Sequence, residues 1–169
     1  MTIYSKALLP LSVLSAAVLV AAVANLTADS SHASFEGVWR TVEVVVPGPA
    51  PQVFKPGATL AIFHGKHYSR VEVHADGPRP ALTDPAAASA DQLRAVWGPF
   101  IGEAGTFELS GSNIVTMKAT VAKNPSAMTN GATTAYTYQR NGENLTLTQV
   151  RTLSGAAASP VTIKLVRVE

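Results

Sequence analysis

Short runs of alternating or uninterrupted apolar residues, each ended by glycine, proline or asparagine, dominate the chain after position 35. Runs of this length and alternation predict β-strands. Gly65-Lys66 alone separates two runs, a spacing typical of a tight hairpin in which glycine supplies the unusual backbone angles, and Asn141-Gly142 is the strongest short hairpin signal in the chain. The predicted strands cover residues 38–46, 58–64, 67–74, 106–110, 113–121, 133–140, 144–151 and 161–168.

One window, residues 86–97, predicts a helix, with Asp84 as a suitable cap, Pro85 in the first turn and Gly98-Pro99 ending it. Strands and helices do not alternate, so a parallel sheet is not expected. A meander of eight strands leaves two edges that should pair with each other. The pattern predicts an all-β fold: an eight-stranded up-and-down antiparallel barrel with one short inserted helix. A two-sheet sandwich is the alternative that the same turn spacing allows.

The first 24 residues have a different character from the rest. Lys6 precedes an apolar run, residues 7–24, that ends at the small residues Ala22-Val23-Ala24. This order is typical of a secretory signal peptide, although the stretch 8–28 is also long enough for an uncleaved membrane anchor. The predicted organisation is a signal peptide at 1–24, a flexible leader at 25–34 and a barrel domain at 35–169. The expected location is secreted or periplasmic, or membrane-anchored in the alternative.

Composition excludes several classes of function. The chain has 169 residues and no cysteine, so it suits one domain without disulfides, thiolate metal sites or cysteine nucleophiles. A formal net charge of +2 is too small for a nucleic-acid-binding surface. The sequence also lacks a Gly-x-Ser-x-Gly elbow, a phosphate loop and a His-Glu-x-x-His helix. No catalytic residue is therefore assigned from the sequence.

The start of the first predicted strand, Gly37-Val38-Trp39, resembles the Gly-x-Trp opening of the lipocalins, in which the tryptophan plugs the closed end of the barrel. Segments at 98–101, 105–108, 122–125 and 141–148 resemble, in the same order, the bacterial and fungal lipocalin-like domain family of calycin-type barrels. The resemblance covers about residues 35–168. It implies a barrel with a capacity for small apolar molecules and no single activity.

Closure of such a barrel provides a physical test of the resemblance. In a closed meander with an even number of strands, the last strand runs antiparallel to the first, so Arg167 should lie beside Trp39. We expect the Arg167 guanidinium to stack on the indole ring, as an arginine does in lipocalins. Arg40 is a rival partner, but it points to the opposite face of its strand. Gly37, Trp39 and Arg167 are the predicted closure residues.

A polar face on the third predicted strand raises the question of what lies inside the barrel. Its members are Tyr68, Arg70, Glu72 and His74, and the opposite face carries two valines. Because valines normally pack inward, the favoured interpretation places the polar set outside. In the alternative, the polar set faces the lumen, and a buried Arg70–Glu72 ion pair orients a polar ligand head.

Other candidate ligand contacts are scattered along the chain. Glu43 shares the Trp39 face of the first strand and is a candidate lumen carboxylate. Tyr136 and Tyr138 suit a cavity wall, since tyrosine has an apolar body and a polar tip. Trp97 and Phe100 flank the end of the predicted helix and could form a lid or cover one barrel end.

Three histidines fall within eleven positions, but they do not predict a metal site. His64 and His67 face each other across a two-residue turn, whereas His74 lies roughly 23 Å further along an extended strand. One ion cannot bind all three, so neither a metal nor a cofactor is expected.

The sequence as a whole predicts an exported, monomeric lipocalin-like protein that binds a small, mostly apolar molecule in its barrel. Two alternatives remain open. One is an enzyme of the isomerase or cyclase type on the same barrel, and the other is a cell-envelope interaction module with a filled barrel. No nucleic acid and no stable membrane insertion after signal cleavage are expected.

Overall fold

A computed structural model describes residues 35–75 and 77–169, so the predicted signal peptide and leader lie outside the described residues. One helix, α1, covers Ala90–Trp97, and a 3₁₀ turn covers Pro125–Met128. The strands are β1 (Gly37–Val46), β2 (Gln52–Phe54), β3 (Thr59–His64), β4 (His67–Val73), β5 (Phe100–Ser110), β6 (Ile114–Ala122), β7 (Thr134–Asn141), β8 (Asn144–Thr152), β9 (Gly155–Ala156) and β10 (Thr162–Arg167).

Eight strands close into an antiparallel barrel, which confirms the predicted fold class. The order around the barrel is β10-β1-β3-β4-β5-β6-β7-β8, and β8 pairs with β10 to close the circle. β2 and β9 are short additions that pair with β1 and β8 near one end. Closure leaves no long exposed sheet edge among the eight strands, which removes the usual template for aggregation.

Two element boundaries differ by four residues or more from the sequence-based expectation. α1 begins at Ala90 rather than at 86, because Ser89 forms a capping box with Gln92. Asp84 instead accepts hydrogen bonds from the backbone N–H groups of Ala86 and Ala87 in a separate turn. β5 begins at Phe100 rather than at 106, because its glycines do not interrupt the pairing with β4.

The closed end of the barrel is filled by aromatic rings. The Phe35 ring lies 4.7 Å from that of Phe63, 5.5 Å from that of Phe107 and 5.1 Å from that of Tyr138, measured between centroids. Trp39 is fully buried here, and its indole N–H donates to the Phe35 carbonyl at 3.1 Å. The edge-to-face pairs, Phe35–Phe63 and Phe35–Tyr138, each add about 1 kcal/mol beyond the burial itself.

Arg167 covers this aromatic end. It is the register partner of Trp39, and its Cζ lies 4.8 Å from the Trp39 ring centroid. Its Nη2 donates to the Glu36 carbonyl. A Cβ at Gly37, whose φ is +137°, would lie 2.8 Å from Arg167 Nη1, so only glycine leaves room for the guanidinium. Arg40, by contrast, is exposed.

Candidate ligand site

The polar face of β4 points into the barrel, so the interpretation that favoured an outer position is wrong. Tyr68, Arg70 and Glu72 are 4%, 7% and 1% exposed, whereas Val71 is 49% exposed. The register explains the orientation, since Tyr68 pairs with the buried Phe63 and Arg70 with the buried Ala61 of β3. Paired residues of antiparallel strands share a face of the sheet. The interior therefore holds two charged side chains on one strand.

A hydrogen-bonded cluster satisfies these buried charges. Glu72 Oε1 accepts from the Thr41 hydroxyl at 3.0 Å, and its Oε2 accepts from Arg70 Nη2 at 3.0 Å. His74 Nε2 lies 2.7 Å from Glu72 Oε2. Because an ionised carboxylate can only accept, His74 carries a proton on this nitrogen. With every partner in place, the ion pair can be buried without leaving an uncompensated charge.

The second carboxylate in contact with Arg70 comes from β5. Glu103 is the register partner of Arg70, and its Oε1 accepts from Arg70 Nη1 at 3.4 Å. The Glu103 carboxylate also lies near the Tyr68 hydroxyl. Glu103 was not identified from the sequence. The alternation Ile101, Glu103, Gly105 would have indicated its inward position had the strand been predicted to start at Phe100.

The cluster shifts the titration of its members. Burial alone would raise the pKa of Glu72, but the Arg70 charge and the hydrogen bonds from His74 and Arg70 outweigh it and lower the pKa to about 2. Burial and the neighbouring Glu103 charge raise the pKa of Tyr68. Burial tends to lower the pKa of Arg70, but the surrounding acidic groups, Glu72 first, raise it. At neutral pH, Glu72 is charged and Tyr68 keeps its hydroxyl proton.

A cavity of about 210 Å³ lies beside this cluster at the open end of the barrel. Its walls combine the polar tips of Tyr68 and Glu103 with the apolar side chains of Ile101, Met117 and Ala119. The rest of its wall comes from the 3₁₀ turn and the residue before it, from the start of β7 and the two residues before it, and from the residue after β8: Asn124, Ala127, Ala132, Thr133, Thr134 and Leu153. The barrel is thus filled at its closed end and hollow at its open end.

The remaining predicted contacts lie at different places. Tyr136 is buried beside the cluster, and Tyr138 packs against the aromatic closed end. Glu43 pairs with Lys164 at 2.8 Å on the outside of the barrel, which corrects its expected lumen position. A bulge between Thr41 and Glu43 reverses the alternation of β1 and turns Glu43 outward.

Trp97 and Phe100 do not line the interior cavity. Their rings meet at 5.7 Å in a T-shaped arrangement beside a separate, larger cavity. Phe100 pairs with Val73, which has the opposite orientation to the buried Glu72, so this second cavity lies on the outer face of the sheet.

The histidines occupy separate environments. His64 lies 3.6 Å from Glu36, and His74 belongs to the interior cluster. No group of three His, Cys, Asp or Glu side chains able to hold a metal ion occurs within residues 35–75 and 77–169.

The molecule is therefore an eight-stranded antiparallel β-barrel with a polar cluster and a small cavity at its open end. No protein-family model matches the chain, and a comparison with curated proteins finds no significant sequence match. None of the helices in the described part of the chain combines the length and the apolar character that crossing a membrane requires.

Proposed function

We propose that this protein is a lipocalin-like binding protein that holds one small, mostly apolar molecule at the open end of its barrel. The observation that carries the proposal is the cavity of about 210 Å³, whose apolar walls converge on Tyr68 and Glu103. A mostly apolar pocket with a few convergent polar groups is the usual form of a small-molecule site.

The size of the cavity limits the ligand. An apolar protein cavity of about 150 Å³ holds a benzene molecule, so 210 Å³ suits one ring with a short substituent. Binding is driven by burial of the apolar body, at about 25 cal/mol for each Å² removed from water.

The polar wall selects the head group of the ligand. Glu103 accepts from Arg70 and lies near the Tyr68 hydroxyl, and a carboxylate offers further lone pairs for another donor. A hydroxyl or amine on the ligand is the group that complements this wall. Arg70 already contacts the carboxylates of Glu72 and Glu103, so its charge is largely neutralised. This arrangement favours a role for Arg70 in positioning Glu103 over a role in catalysis.

The assignment to the lipocalin-like family is supported by three features: the closed barrel, Gly37-x-Trp39 at its start and Arg167 over the tryptophan ring.

Export and a monomeric state complete the proposal. N-terminal sequencing of the protein from its host should begin near Asn25, and an intact Met1 on membrane-bound protein would contradict cleavage.

The test is native mass spectrometry of protein purified from its own host, followed by identification of the small molecules released. We expect a bound species of one-ring size that is lost in the Ala119→Leu variant, since the added side chain fills the cavity. Lys118→Leu is the matched control, because it adds a leucine to the exposed outer face of the same strand. Empty protein, or a ligand retained by Ala119→Leu and lost from Lys118→Leu, would overturn the proposal.

A further inference from the structure

Among the described residues that line the interior cavity, Glu103 has the only charged side chain. The other polar lining residues are uncharged at neutral pH: Tyr68, Asn124, Thr133 and Thr134. The Glu103 side chain is 19% exposed, so a molecule in the cavity can reach its carboxylate. The charge that a ligand meets in this cavity is therefore set by Glu103 and by the groups that neutralise it.

Arg70 contacts Glu103, but its single positive charge is shared between two carboxylates. Its Nη2 lies 3.0 Å from Glu72 Oε2, whereas its Nη1 lies 3.4 Å from Glu103 Oε1, which is longer than an ordinary hydrogen bond. Because attraction between charges falls with distance, the guanidinium neutralises Glu72 more fully than Glu103. With both carboxylates ionised, the three side chains together carry one net negative charge.

His74 is a further titratable group in contact with this cluster, on the side away from Glu103. Its Nε2 lies 2.7 Å from Glu72 Oε2, and it is not among the residues that line the cavity. Arg70 is the register partner of Glu103, and His74 follows Arg70 by four residues, a distance of roughly 13 Å along an extended chain. A charge on His74 would act first on Glu72, and above the usual titration range of histidine the ring adds no charge. The excess negative charge then remains, and it borders the cavity at Glu103.

A protonated amine on the ligand would supply the missing positive charge. An ammonium group has three N–H donors and no acceptor, and an ionised carboxylate only accepts, so the two groups are complementary. A hydrogen bond between charged groups is roughly twice as strong as one between neutral groups, and it is strengthened further where water is excluded. A neutral hydroxyl could donate to Glu103 as well, but it would leave the negative charge uncompensated.

We propose that the ligand of the interior site is a one-ring primary amine bound as its cation, whose ammonium group meets Glu103 and whose ring lies against Ile101, Met117 and Ala119. This proposal rests on the binding function proposed above and narrows the ligand from any donor-bearing molecule to a cationic one. Arg70 is then a positioning residue, since it holds Glu103 at the cavity wall without fully neutralising it.

Calorimetry with three probes of similar shape tests the charge of the ligand. The probes are cationic benzylamine, neutral benzyl alcohol and anionic benzoate, each titrated into dialysed protein at about pH 8, above the usual titration range of histidine. We expect benzylamine to bind at least about tenfold more tightly than benzyl alcohol, because its hydrogen bond to Glu103 joins two charged groups. Benzoate should bind most weakly, since its carboxylate would face that of Glu103.

The outcomes separate this proposal from the binding function on which it rests. Benzyl alcohol or benzoate binding as tightly as benzylamine would overturn the amine proposal and leave the binding function standing. No binding of any of the three probes, together with empty protein from the host, would overturn both.

Two variants of β5 locate the charge that selects the amine. Glu103→Gln keeps the shape of the side chain and should weaken benzylamine binding about tenfold, while benzyl alcohol binding stays within about twofold and shows that the site is still formed. Glu108→Gln is the matched control, because it removes the same charge from an exposed position on the same strand, and it should change neither affinity. Equal losses for both probes in Glu103→Gln, or weaker benzylamine binding in Glu108→Gln, would refute the role of Glu103.

The cavity-filling variant Ala119→Leu locates the bound probe. It should abolish the binding of benzylamine and of benzyl alcohol, since both occupy the same cavity. Benzylamine binding that survives in Ala119→Leu would place the amine outside the barrel and overturn the proposal.

Discussion

Glu72 is the interior charge whose removal should be most costly. It is 1% exposed and accepts hydrogen bonds from Thr41, Arg70 and His74. Glu72→Gln keeps the shape of the side chain and removes its charge. The variant leaves Arg70 with a single carboxylate partner, Glu103, at the longer distance of 3.4 Å.

The size of the effect follows from the pKa of Glu72, which falls from the ordinary value of 4.5 to about 2 in the folded protein. At about 1.4 kcal/mol per pH unit, this difference corresponds to a stabilisation on the order of 3 kcal/mol at pH 7. We therefore expect Glu72→Gln to lower the free energy of unfolding by about 3 kcal/mol. That is a large share of the roughly 5–15 kcal/mol available to an ordinary domain.

The pH dependence has a definite sign. Because the pKa is lower in the folded state, the stabilisation is fully present above about pH 4.5 and is lost as the pH falls towards 2. The difference between the wild type and Glu72→Gln should shrink from about 3 kcal/mol at pH 7 to about 1.5 kcal/mol at pH 3. Titrating groups outside the cluster cancel in this difference, because they have the same surroundings in both proteins.

Urea unfolding between pH 3 and pH 7, followed by tryptophan fluorescence, measures these free energies. Arg70→Met and the double variant Arg70→Met/Glu72→Gln complete a double-mutant cycle. We expect the double variant to be less destabilised than the sum of the single variants, since it leaves no unpaired partner. A difference between wild type and Glu72→Gln that stays constant with pH, or additive single variants, would refute the proposed pairing.

Three further substitutions test the frame around the site. Arg167→Ala should lower the free energy of unfolding by about 1–2 kcal/mol through loss of the stack on Trp39; an unchanged urea midpoint would show that the stack has no role in closure. Gly105→Ala should cost about 3 kcal/mol or more, because its Cβ would collide with the Lys118 carbonyl; thermal unfolding measures the loss, and a wild-type melting temperature would contradict the packing. Ser89→Ala should weaken α1 by about 1 kcal/mol without changing global stability, since the helix buries no residue; faster amide hydrogen exchange confined to α1 is the expected result, and a lowered global midpoint would contradict it.

The parts of the fold that were predictable are those with local physical causes. Gly65 and Gly142 have φ values of +58°, which the two-residue turns of β3–β4 and β7–β8 require. Both predicted hairpins form, and the second turn is Gly142-Glu143 rather than Asn141-Gly142, because Asn141 pairs with Asn144. Most of the strands were predictable as well, because the alternation of apolar residues is also a local feature of the sequence. Closure of the barrel was predictable because a meander of eight strands has two edge strands, which can satisfy their backbone groups by pairing with each other.

It was harder to predict which side chains of a strand point into the barrel. Alternation shows that every second residue shares a face of the sheet, but it does not show which of the two faces is the inner one. On β4 the two valines suggest that their own face points inward, but the face that carries Arg70 and Glu72 points inward instead. The deciding contacts are made across strands, by Thr41 of β1 and Glu103 of β5, which no local pattern on β4 reveals. The bulge that turns Glu43 outward has likewise no local signal in a run of β-branched residues.

The reversed phase of β4 also explains why the protein has two different cavities rather than one. Consecutive residues of a strand point to opposite faces, so placing Glu72 inside requires Val73 to lie outside, where it becomes the floor of the outer cavity. The apolar outer face continues along the hairpin through Leu60, Ile62 and Val71, each more than a third exposed. A closed barrel tolerates such a face because its backbone groups are already paired and offer no edge for another strand. The same register that satisfies the interior charges therefore places an apolar floor under the outer cavity.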